Sequence, residues 1–244
     1  EVLPEFRQFS RSFNRMLDRL DEGFAAQRQF TGNAAHELRT PLTLMQARLE
    51  LFTDEHPDVL PETAELLALL REQLSRLTRM TKTLLEMSGL QAVPRNDHVQ
   101  LAPMLEEIFA DLMPLAERSR VTLTQEGDGA VTGSDTLLYR LLFNLTENAV
   151  KYNRPGGSVQ IAVSQAGAEV VIRVTDTGYG IPASCRESVF QPFFRVDKSR
   201  SREYGGAGLG LSLVWEIAAL HGGSVRIEES TPDGTTVAVR LPAE

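Results

Sequence analysis

Apolar residues in the first third of the chain recur at alternating spacings of three and four positions. This pattern places them along one stripe of a helix and is typical of a helix that packs against a partner helix. The second of two such stripes contains Pro41, which lacks a backbone N–H and is expected to kink the helix without ending it. The members are Phe6, Phe9, Phe13, Met16 and Leu20 in the first stripe, and Ala35, Leu38, Leu42, Met45, Leu49 and Phe52 in the second.

A further helix is predicted from Pro61 to Ser88, after a turn in residues 54–61. Two antiparallel amphipathic helices with a short connection form a hairpin. One hairpin has too little core to be stable alone, so we expect a homodimer through residues 1–90, with a four-helix bundle at its centre. The apolar face of the second helix comprises Leu67, Leu70, Leu74, Leu77 and Leu84.

The pattern changes beyond this hairpin. Residues 91–100 contain Pro, Asn and Asp without periodicity and are predicted to be a linker. Residues 101–244 mix helical and strand patterns, which predicts an α+β domain. Residues 1–25 are then the end of an upstream coiled-coil helix, and residues 26–90 are the hairpin. Helices are expected at 101–118, 134–152 and 209–221, and strands at 159–163, 170–174, 224–228 and 235–241.

Composition limits the partners and the compartment. The 244 residues carry a net charge of −8, which argues against direct nucleic-acid binding. A single cysteine, Cys185, excludes a disulfide framework and fits the reducing cytoplasm. The chain has no apolar run of the ~18 residues that a membrane span needs. Since it begins at Glu1, we expect a fragment whose membrane anchor, if any, lies in a missing N-terminal region.

His36 lies one position after a stripe residue, about 100° further round the helix, so it is expected beside the core. Histidine at position 36 followed by Glu37 begins the zinc-binding pattern HExxH, but Thr40 occupies the place of the second histidine, so a zinc hydrolase is disfavoured. The three remaining histidines, His56, His98 and His221, are predicted to be surface residues.

Three later segments carry polar or glycine-rich patterns. Polar residues recur on one face of a predicted helix at 144, 148, 151 and 152. An Asp-Thr-Gly-Tyr-Gly sequence starts at Asp176, after an apolar strand, and lacks the continuation and duplication of an aspartic protease. A glycine-rich stretch from Gly205 opens another helix, where free backbone N–H groups can bind phosphate. It matches neither GxGxxG nor the P-loop, and the HRD and DFG motifs of eukaryotic-type kinases are absent.

The sequence FTGNAAHELRTPLT, residues 30–43, resembles the phospho-acceptor segment of sensor histidine kinases. The three later segments, in their order, resemble the N, G1 and G2 boxes of the ATP-binding domain of that family, and residues 189–200 resemble its F box and the start of its lid. The resemblance implies a gyrase-like α/β sandwich for the second domain. It also implies that His36 is the phosphorylated residue, that Glu37 accepts the imidazole proton, and that Thr40 positions water for dephosphorylation.

The same resemblance implies ATP and Mg²⁺ as cofactors. Asp176 would bind adenine and Asn148 would hold Mg²⁺, while Arg195 and Lys198 would reach the γ-phosphate. The other residues implied in nucleotide binding are Asn144, Lys151, Tyr152, Gly178, Gly180, Gly206, Gly208, Leu209, Gly210 and Thr236. The related gyrase and mismatch-repair ATPases carry a water-activating glutamate where this chain has Asn144, which favours transfer to histidine over hydrolysis.

The predicted function is ATP-dependent phosphorylation of His36 followed by transfer to an aspartate on the receiver domain of a response regulator. Phosphatase activity toward that regulator is also predicted, and the expected location is the cytoplasmic face of the bacterial inner membrane. Two alternatives stay open: a module that binds ATP and partners without transfer, and a protein that acts chiefly as a phosphatase. A structural coiled-coil protein would account for residues 1–88 only.

Overall fold

The computed structural model describes residues 31–196 and 208–243. The chain divides into two compact units, with the boundary after Gly89. The coiled coil predicted for residues 1–25 lies outside the described residues. Each unit has its own secondary structure and is described separately.

The first unit is an antiparallel helical hairpin. Helix α1 is described from residue 31 to residue 55, and α2 spans Pro61–Gly89. Gly32 at one end of α1 faces Ser88 near the end of α2, where a Cβ on the glycine would lie 2.8 Å from the serine Oγ. At the other end, Arg71 donates a hydrogen bond of 3.3 Å to the hydroxyl of Thr53. These two pairings establish the antiparallel arrangement.

Helix α1 continues through Pro41 without a break. A proline N cannot donate, so the carbonyl of Glu37 lacks its usual partner four residues on. Nearby, the hydroxyl of Thr43 donates a hydrogen bond of 3.0 Å to the carbonyl of Arg39. The helix is thus preserved by the bonds on either side of one missing donor.

The apolar stripe of α1 divides into two sets that alternate along the helix. Ala35 and Leu42 are buried, whereas Leu38 and Met45 are 51% and 53% exposed. Helix α2 divides in the same way, because Thr81 is buried while Leu70 and Leu77 stay exposed. One set therefore packs within the hairpin, and the other presents apolar surface outside it.

The second unit is a two-layer α/β structure. Its elements are β1 Asp97–Gln100, α3 Leu101–Ser119, β2 Thr122–Glu126, β3 Ala130–Gly133, α4 Asp135–Lys151, β4 Ser158–Ala166, β5 Glu169–Asp176, α5 Gly210–Leu220, β6 Ser224–Thr231 and β7 Gly234–Pro242. The main sheet has five strands in the order β2-β4-β5-β7-β6, with β2 parallel to β4 and the other pairs antiparallel. A separate pair, β1 and β3, is antiparallel. Helix α4 packs between α3 and α5 and against the sheet.

The predicted helices and the four predicted strands of this unit are confirmed, and the strands are longer than expected. The 91–100 stretch is not irregular throughout. Its last four residues form β1, which pairs with β3 from Asp97 opposite Gly133 to Gln100 opposite Ala130. Strands β1, β2 and β3 have four or five residues each, too few to show an apolar period in the sequence.

The core of this unit lies between the helices and the sheet, where apolar side chains from both layers are fully buried. Ser134 caps the start of helix α4, and its hydroxyl accepts the N–H of Leu137. No helix in the described part of the chain has the length and apolar character of a membrane span. The largest residues at this core are Leu101, Leu105, Ile108, Leu137, Leu138, Leu141, Leu142, Ile161, Ile172 and Ile217.

Candidate active site

His36 is an exposed residue of α1, one position beyond the buried Ala35. This is the placement beside the core that the sequence predicts. Glu37 and Thr40 are exposed as well, and Thr40 lies one helical turn from His36 on the same side of α1. An imidazole in this position is open to a reactant from solvent, and its neutral form is nucleophilic near pH 7.

The predicted polar face of the second unit lies on the last turns of α4. The other side of this helix is buried and carries Leu141, Leu145 and Ala149. Asn144 and Asn148 face the start of α5, because a Cβ on Gly210 would lie 3.1 Å from Asn144 Oδ1 and 3.4 Å from Asn148 Nδ2. The two helices therefore meet through these amides and a glycine backbone.

The amide of Asn144 donates a hydrogen bond of 2.7 Å to the carbonyl of Arg140, which orients its oxygen toward α5. Lys151 forms an ion pair of 2.7 Å with Glu147, one turn earlier on α4. Tyr152 follows α4 as its C-terminal cap and is 37% exposed. Its backbone carbonyl accepts the N–H of Tyr179 at 3.2 Å, so the end of α4 is joined to the glycine-containing turn after β5.

Asp176 ends β5 and is held by backbone donors. Its Oδ1 accepts the N–H of Gly178 at 2.8 Å and that of Thr235, on the neighbouring strand β7, at 3.3 Å. Burial raises the pKa of this carboxyl above its usual range, and the two backbone N–H donors act in the opposite direction. With Oδ1 occupied, Oδ2 is the oxygen left to accept a hydrogen bond from a ligand.

The two glycines after Asp176 are required by close packing. A Cβ on Gly178 would overlap the carbonyl of Tyr152. Gly180 has a φ of +70°, and a Cβ there would overlap the carbonyl of Thr231 at the end of β6. The turn from Asp176 to Gly180 therefore passes close to the end of α4 and to the β6–β7 hairpin.

The glycines before α5 also have defined positions. Gly208 has a φ of +73°, and its carbonyl accepts the N–H of Phe193 at 2.8 Å. Leu209 is buried and precedes Gly210, the first residue of α5, with no side chain capping the helix. The first turn of α5 thus leaves backbone N–H groups available to an anion beside Asn144 and Asn148.

The remaining predicted residues fall into two groups. Thr236 lies on β7 opposite Thr175, and the two hydroxyls are 3.1 Å apart, one residue before Asp176. Arg195 is partly buried, near the end of the described range 31–196. Lys198 and Gly206 lie outside the described residues.

Asn153 and Thr177 are not among the predicted site residues, although each adjoins one. Asn153 is 5% exposed, and its Oδ1 accepts the Thr177 hydroxyl at 3.1 Å. The same hydroxyl accepts the N–H of Ser158 at 2.8 Å, and Asn153 donates to the Ser158 carbonyl at 2.9 Å. Neither residue type is distinctive in the sequence, and the burial that marks Asn153 is visible only in the structure.

The prediction that His221 is an ordinary surface residue is wrong. Its Nε2 accepts the N–H of Ser134 at 3.0 Å, and its Nδ1 donates to the carbonyl of Ile217 at 2.8 Å. Both bonds together require the neutral tautomer protonated on Nδ1. Burial lowers the pKa of His221; the hydrogen bond to the Ile217 carbonyl acts in the opposite direction, and nearby Arg95 lowers the pKa further.

No group of three or more His, Cys, Asp or Glu side chains suited to a metal occurs within residues 31–196 and 208–243. The donors present fit Mg²⁺, which binds through few protein oxygens and takes its other ligands from phosphates and water. The amide oxygen of Asn148 would be one such ligand. Asn148 faces the N-terminal turn of α5, where phosphate groups would be bound.

Two family models match this chain. Residues 26–92 match the "His Kinase A (phospho-acceptor) domain", and residues 133–244 match the "Histidine kinase-, DNA gyrase B-, and HSP90-like ATPase". These two domains, in this order, define a sensor histidine kinase with a phospho-acceptor domain and an ATP-binding domain. The chain belongs to that family.

Curated relatives agree. The chain is 33% identical to the sensor protein IrlS of Burkholderia pseudomallei over 98% of its length. It is 35% identical to the sensor-like histidine kinase SenX3 of Mycolicibacterium smegmatis over 89% of its length. It spans 52% and 58% of these two proteins, about half of each.

Among solved structures, full-length ShkA in complex with AMPPNP matches 88% of this chain and 46% of its own, with a TM-score of 0.69. At 23% identity this match concerns the fold. It supports the predicted order of a helical hairpin followed by an α/β domain.

Proposed function

We propose that this chain transfers the γ-phosphoryl group of ATP to His36. The observation that carries the proposal is the exposed His36 on a hairpin of the phospho-acceptor family, in one chain with a polar site on α4 and α5. The ATPase family model covers both of those helices.

Each proposed role in the second unit follows from the chemistry of its atoms. Asp176 Oδ2 accepts a hydrogen bond from the adenine amino group, with Thr236 nearby on β7. Asn144 and the backbone at Gly208 to Gly210 contact the phosphates, and Tyr152 lines the ribose side. Lys151, Arg195, Lys198 and Gly206 are retained as proposed nucleotide-binding residues from the sequence resemblance. Asn148 would hold Mg²⁺, which would neutralise charge on the phosphates when bound.

In the transfer step, one imidazole nitrogen of His36 attacks the γ-phosphorus. The new N–P bond forms as the bond from phosphorus to the β,γ-bridging oxygen breaks, and ADP leaves. Glu37 accepts the proton from the other ring nitrogen, which keeps the phosphorylated ring neutral. The chain lacks a water-activating glutamate at position 144, which favours histidine as the acceptor.

We further propose that phosphohistidine passes its phosphoryl group to an aspartate of a response-regulator receiver domain. Thr40, one turn from His36, would position water when the chain removes phosphate from that regulator. The proposed active form is a homodimer through residues 1–90. Because ATP is the phosphoryl donor, we infer that these reactions occur in the cytoplasm.

The test is incubation of the full chain with γ-³²P-ATP and Mg²⁺, compared with His36→Gln and Asn148→Ala. Label that is stable in alkali, lost in acid and absent from both variants is the expected result. Labelling of His36→Gln at the wild-type level would contradict the acceptor assignment.

A matched control is His56→Gln, which alters an exposed histidine at the end of α1 and should leave labelling unchanged. ATP binding without label on the wild-type chain would favour the non-transferring alternative. Label transfer to a purified receiver domain, and loss of receiver phosphate only when Thr40 is intact, would test the two later steps.

A further inference from the structure

We propose that Thr177, held by Asn153, is a positioning residue that fixes Asp176 for recognition of the adenine amino group; this inference rests on the proposed function. Thr177 directly follows Asp176 at the end of β5. Among the described residues, the Asp176 carboxylate is bonded to the backbone N–H groups of Gly178 and Thr235, both at Oδ1. Its orientation therefore depends on where the backbone from 176 to 178 lies.

Three bonds at Thr177 determine that backbone position. The Thr177 N–H donates to the Ser158 carbonyl at 3.1 Å. The Thr177 hydroxyl accepts the Ser158 N–H at 2.8 Å and donates to Asn153 Oδ1 at 3.1 Å. One hydroxyl thus uses its single proton and a lone pair to join the end of β5 to both sides of the turn between α4 and β4.

Asn153 is suited to hold this hydroxyl because its amide oxygen and its amide nitrogen both form hydrogen bonds to the surrounding turn. Its Nδ2 donates to the Ser158 carbonyl at 2.9 Å, and its Oδ1 accepts the Arg154 N–H at 2.8 Å as well as the Thr177 hydroxyl. The residue is 5% exposed, so its own side of these bonds is buried. At Gly157, a Cβ would overlap Asn153 Oδ1 and lie 2.5 Å from Thr177 Oγ1, so the cluster is closely packed.

The cluster joins the two halves of the proposed nucleotide site. Asn153 follows the end of α4, the helix that carries Asn148, and the Tyr152 N–H donates to the Asn148 carbonyl at 3.0 Å. Thr177 adjoins Asp176, the base-binding carboxylate. The hydroxyl bond between Thr177 and Asn153 therefore sets where the carboxylate stands relative to α4, and misplacement should weaken recognition of the base.

The test measures selectivity for the adenine amino group. Dissociation constants of ATP and of purine riboside 5′-triphosphate, which lacks the 6-amino group, are determined for the full chain and for Thr177→Val and Thr177→Ser. The wild type should prefer ATP by about tenfold or more, the size expected for a hydrogen bond to a charged acceptor. Thr177→Val should reduce this ratio to within about twofold of unity, and Thr177→Ser should restore it, because serine keeps the hydroxyl.

Thr177 is exposed, so Thr177→Val is expected to fold, and circular dichroism checks this. Asn153→Ala breaks the same bond from its other end and should lower the same ratio. An unchanged ratio in Thr177→Val, with both nucleotides weakened equally or not at all, would overturn the positioning role. A wild-type chain that binds neither nucleotide, or binds both equally, would instead refute the proposed adenine recognition by Asp176, and the inference with it.

Discussion

At the scale of single residues, Gly156 and Gly180 show two separate reasons why a position requires glycine: a left-handed backbone and a lack of space for a Cβ. Gly180 combines a left-handed backbone with a close carbonyl, that of Thr231. Gly156 has the same backbone feature, with a φ of +84°, but nothing within 4 Å of its would-be Cβ. A side chain at Gly156 would therefore meet backbone strain alone, whereas one at Gly180 would meet both strain and steric overlap.

We predict that Gly156→Ala costs about 1 kcal/mol of unfolding free energy, from the left-handed conformation alone. Gly180→Ala should cost about 2–4 kcal/mol, because the methyl group also overlaps Thr231. Urea unfolding followed by the fluorescence of Trp215, the chain's single tryptophan, reports on the second unit. Equal costs for both variants would show that the carbonyl moves away without penalty.

His221 is the residue whose role the sequence conceals. A histidine next to two glycines after a helix has no pattern that distinguishes a solvent-exposed ring from one that bonds a distant backbone. The bond to Ser134 joins residues 87 positions apart. The packing of α5 against α4 brings the two residues together, so this hydrogen bond could not be predicted from the sequence alone.

At the scale of elements, the start of α4 is held by groups from three parts of the chain. The Ser134 hydroxyl caps the helix, His221 after α5 accepts the Ser134 N–H, and Asp97 of β1 accepts the Asp135 N–H at 3.2 Å. Helix α4 carries Asn144 and Asn148, so its first turn is anchored while its last turns bear the proposed site. The strand β1, which follows the hairpin in sequence, is one of these anchors.

The His221 anchor should make the second unit sensitive to acid. The pKa of His221 is lowered in the folded protein, so the unfolded chain takes up this proton first as the pH falls. Its stabilising contribution is complete above about pH 6.5, the ordinary histidine value, and is lost progressively as the pH falls toward the folded pKa.

We predict that His221→Gln flattens the dependence of unfolding free energy on pH between 7.5 and 5, and lowers stability at pH 7.5 by about 1 kcal/mol through the lost hydrogen bond. Trp215 fluorescence during urea unfolding gives both quantities. His98→Gln, which changes an exposed histidine of the same unit, is the control. Identical pH profiles for His221→Gln and the wild type would contradict the assignment.

The contact of α1 with α2 gives a second prediction at this scale. A Cβ at Gly32 would lie 2.8 Å from Ser88 Oγ and 3.1 Å from Ser88 Cβ. Gly32→Ala should therefore destabilise the hairpin despite the better helix propensity of alanine, and it should cost less in a Ser88→Gly background, with a coupling of about 1 kcal/mol.

Hydrogen exchange of the full chain, followed by mass spectrometry of the peptides that cover the hairpin, measures this coupling. Gly89→Ala is the control, since nothing lies within 4 Å of a Cβ there. Additive effects of Gly32→Ala and Ser88→Gly would mean that the two helices adjust their spacing freely.

At the scale of the whole molecule, the long periodic elements were predictable and the short ones were not. The helices of the hairpin and the strands β4, β5 and β7 each have enough residues to show their period, whereas β1 to β3 do not. Motif resemblance indicated Asp176, Gly178 and Gly180, and the structure supplies the backbone contacts of these residues. The Asn153–Thr177 cluster was missed because neither residue type is distinctive until the fold places them together.

The hairpin of a single chain leaves an apolar surface uncovered. The exposed set of α1 comprises Leu38, Met45 and Phe52, which are 51%, 53% and 40% exposed and recur every seven residues. Leu70 and Leu77 of α2 are also exposed. Monomeric proteins rarely leave such a contiguous stripe in water, so it supports the proposed homodimer.

Met45→Glu places a charge in the middle of this stripe in each copy, and should raise the dimer dissociation constant by about tenfold or more because burying an unpaired carboxylate is costly. Ala47→Glu adds the same charge on the opposite side of α1 and should leave association unchanged. Sedimentation equilibrium of the full chain over a range of concentrations measures both. A monomeric wild type would remove the dimer proposal itself, whereas a dimer that Met45→Glu and Ala47→Glu affect equally would place the interface away from the stripe of Leu38, Met45 and Phe52.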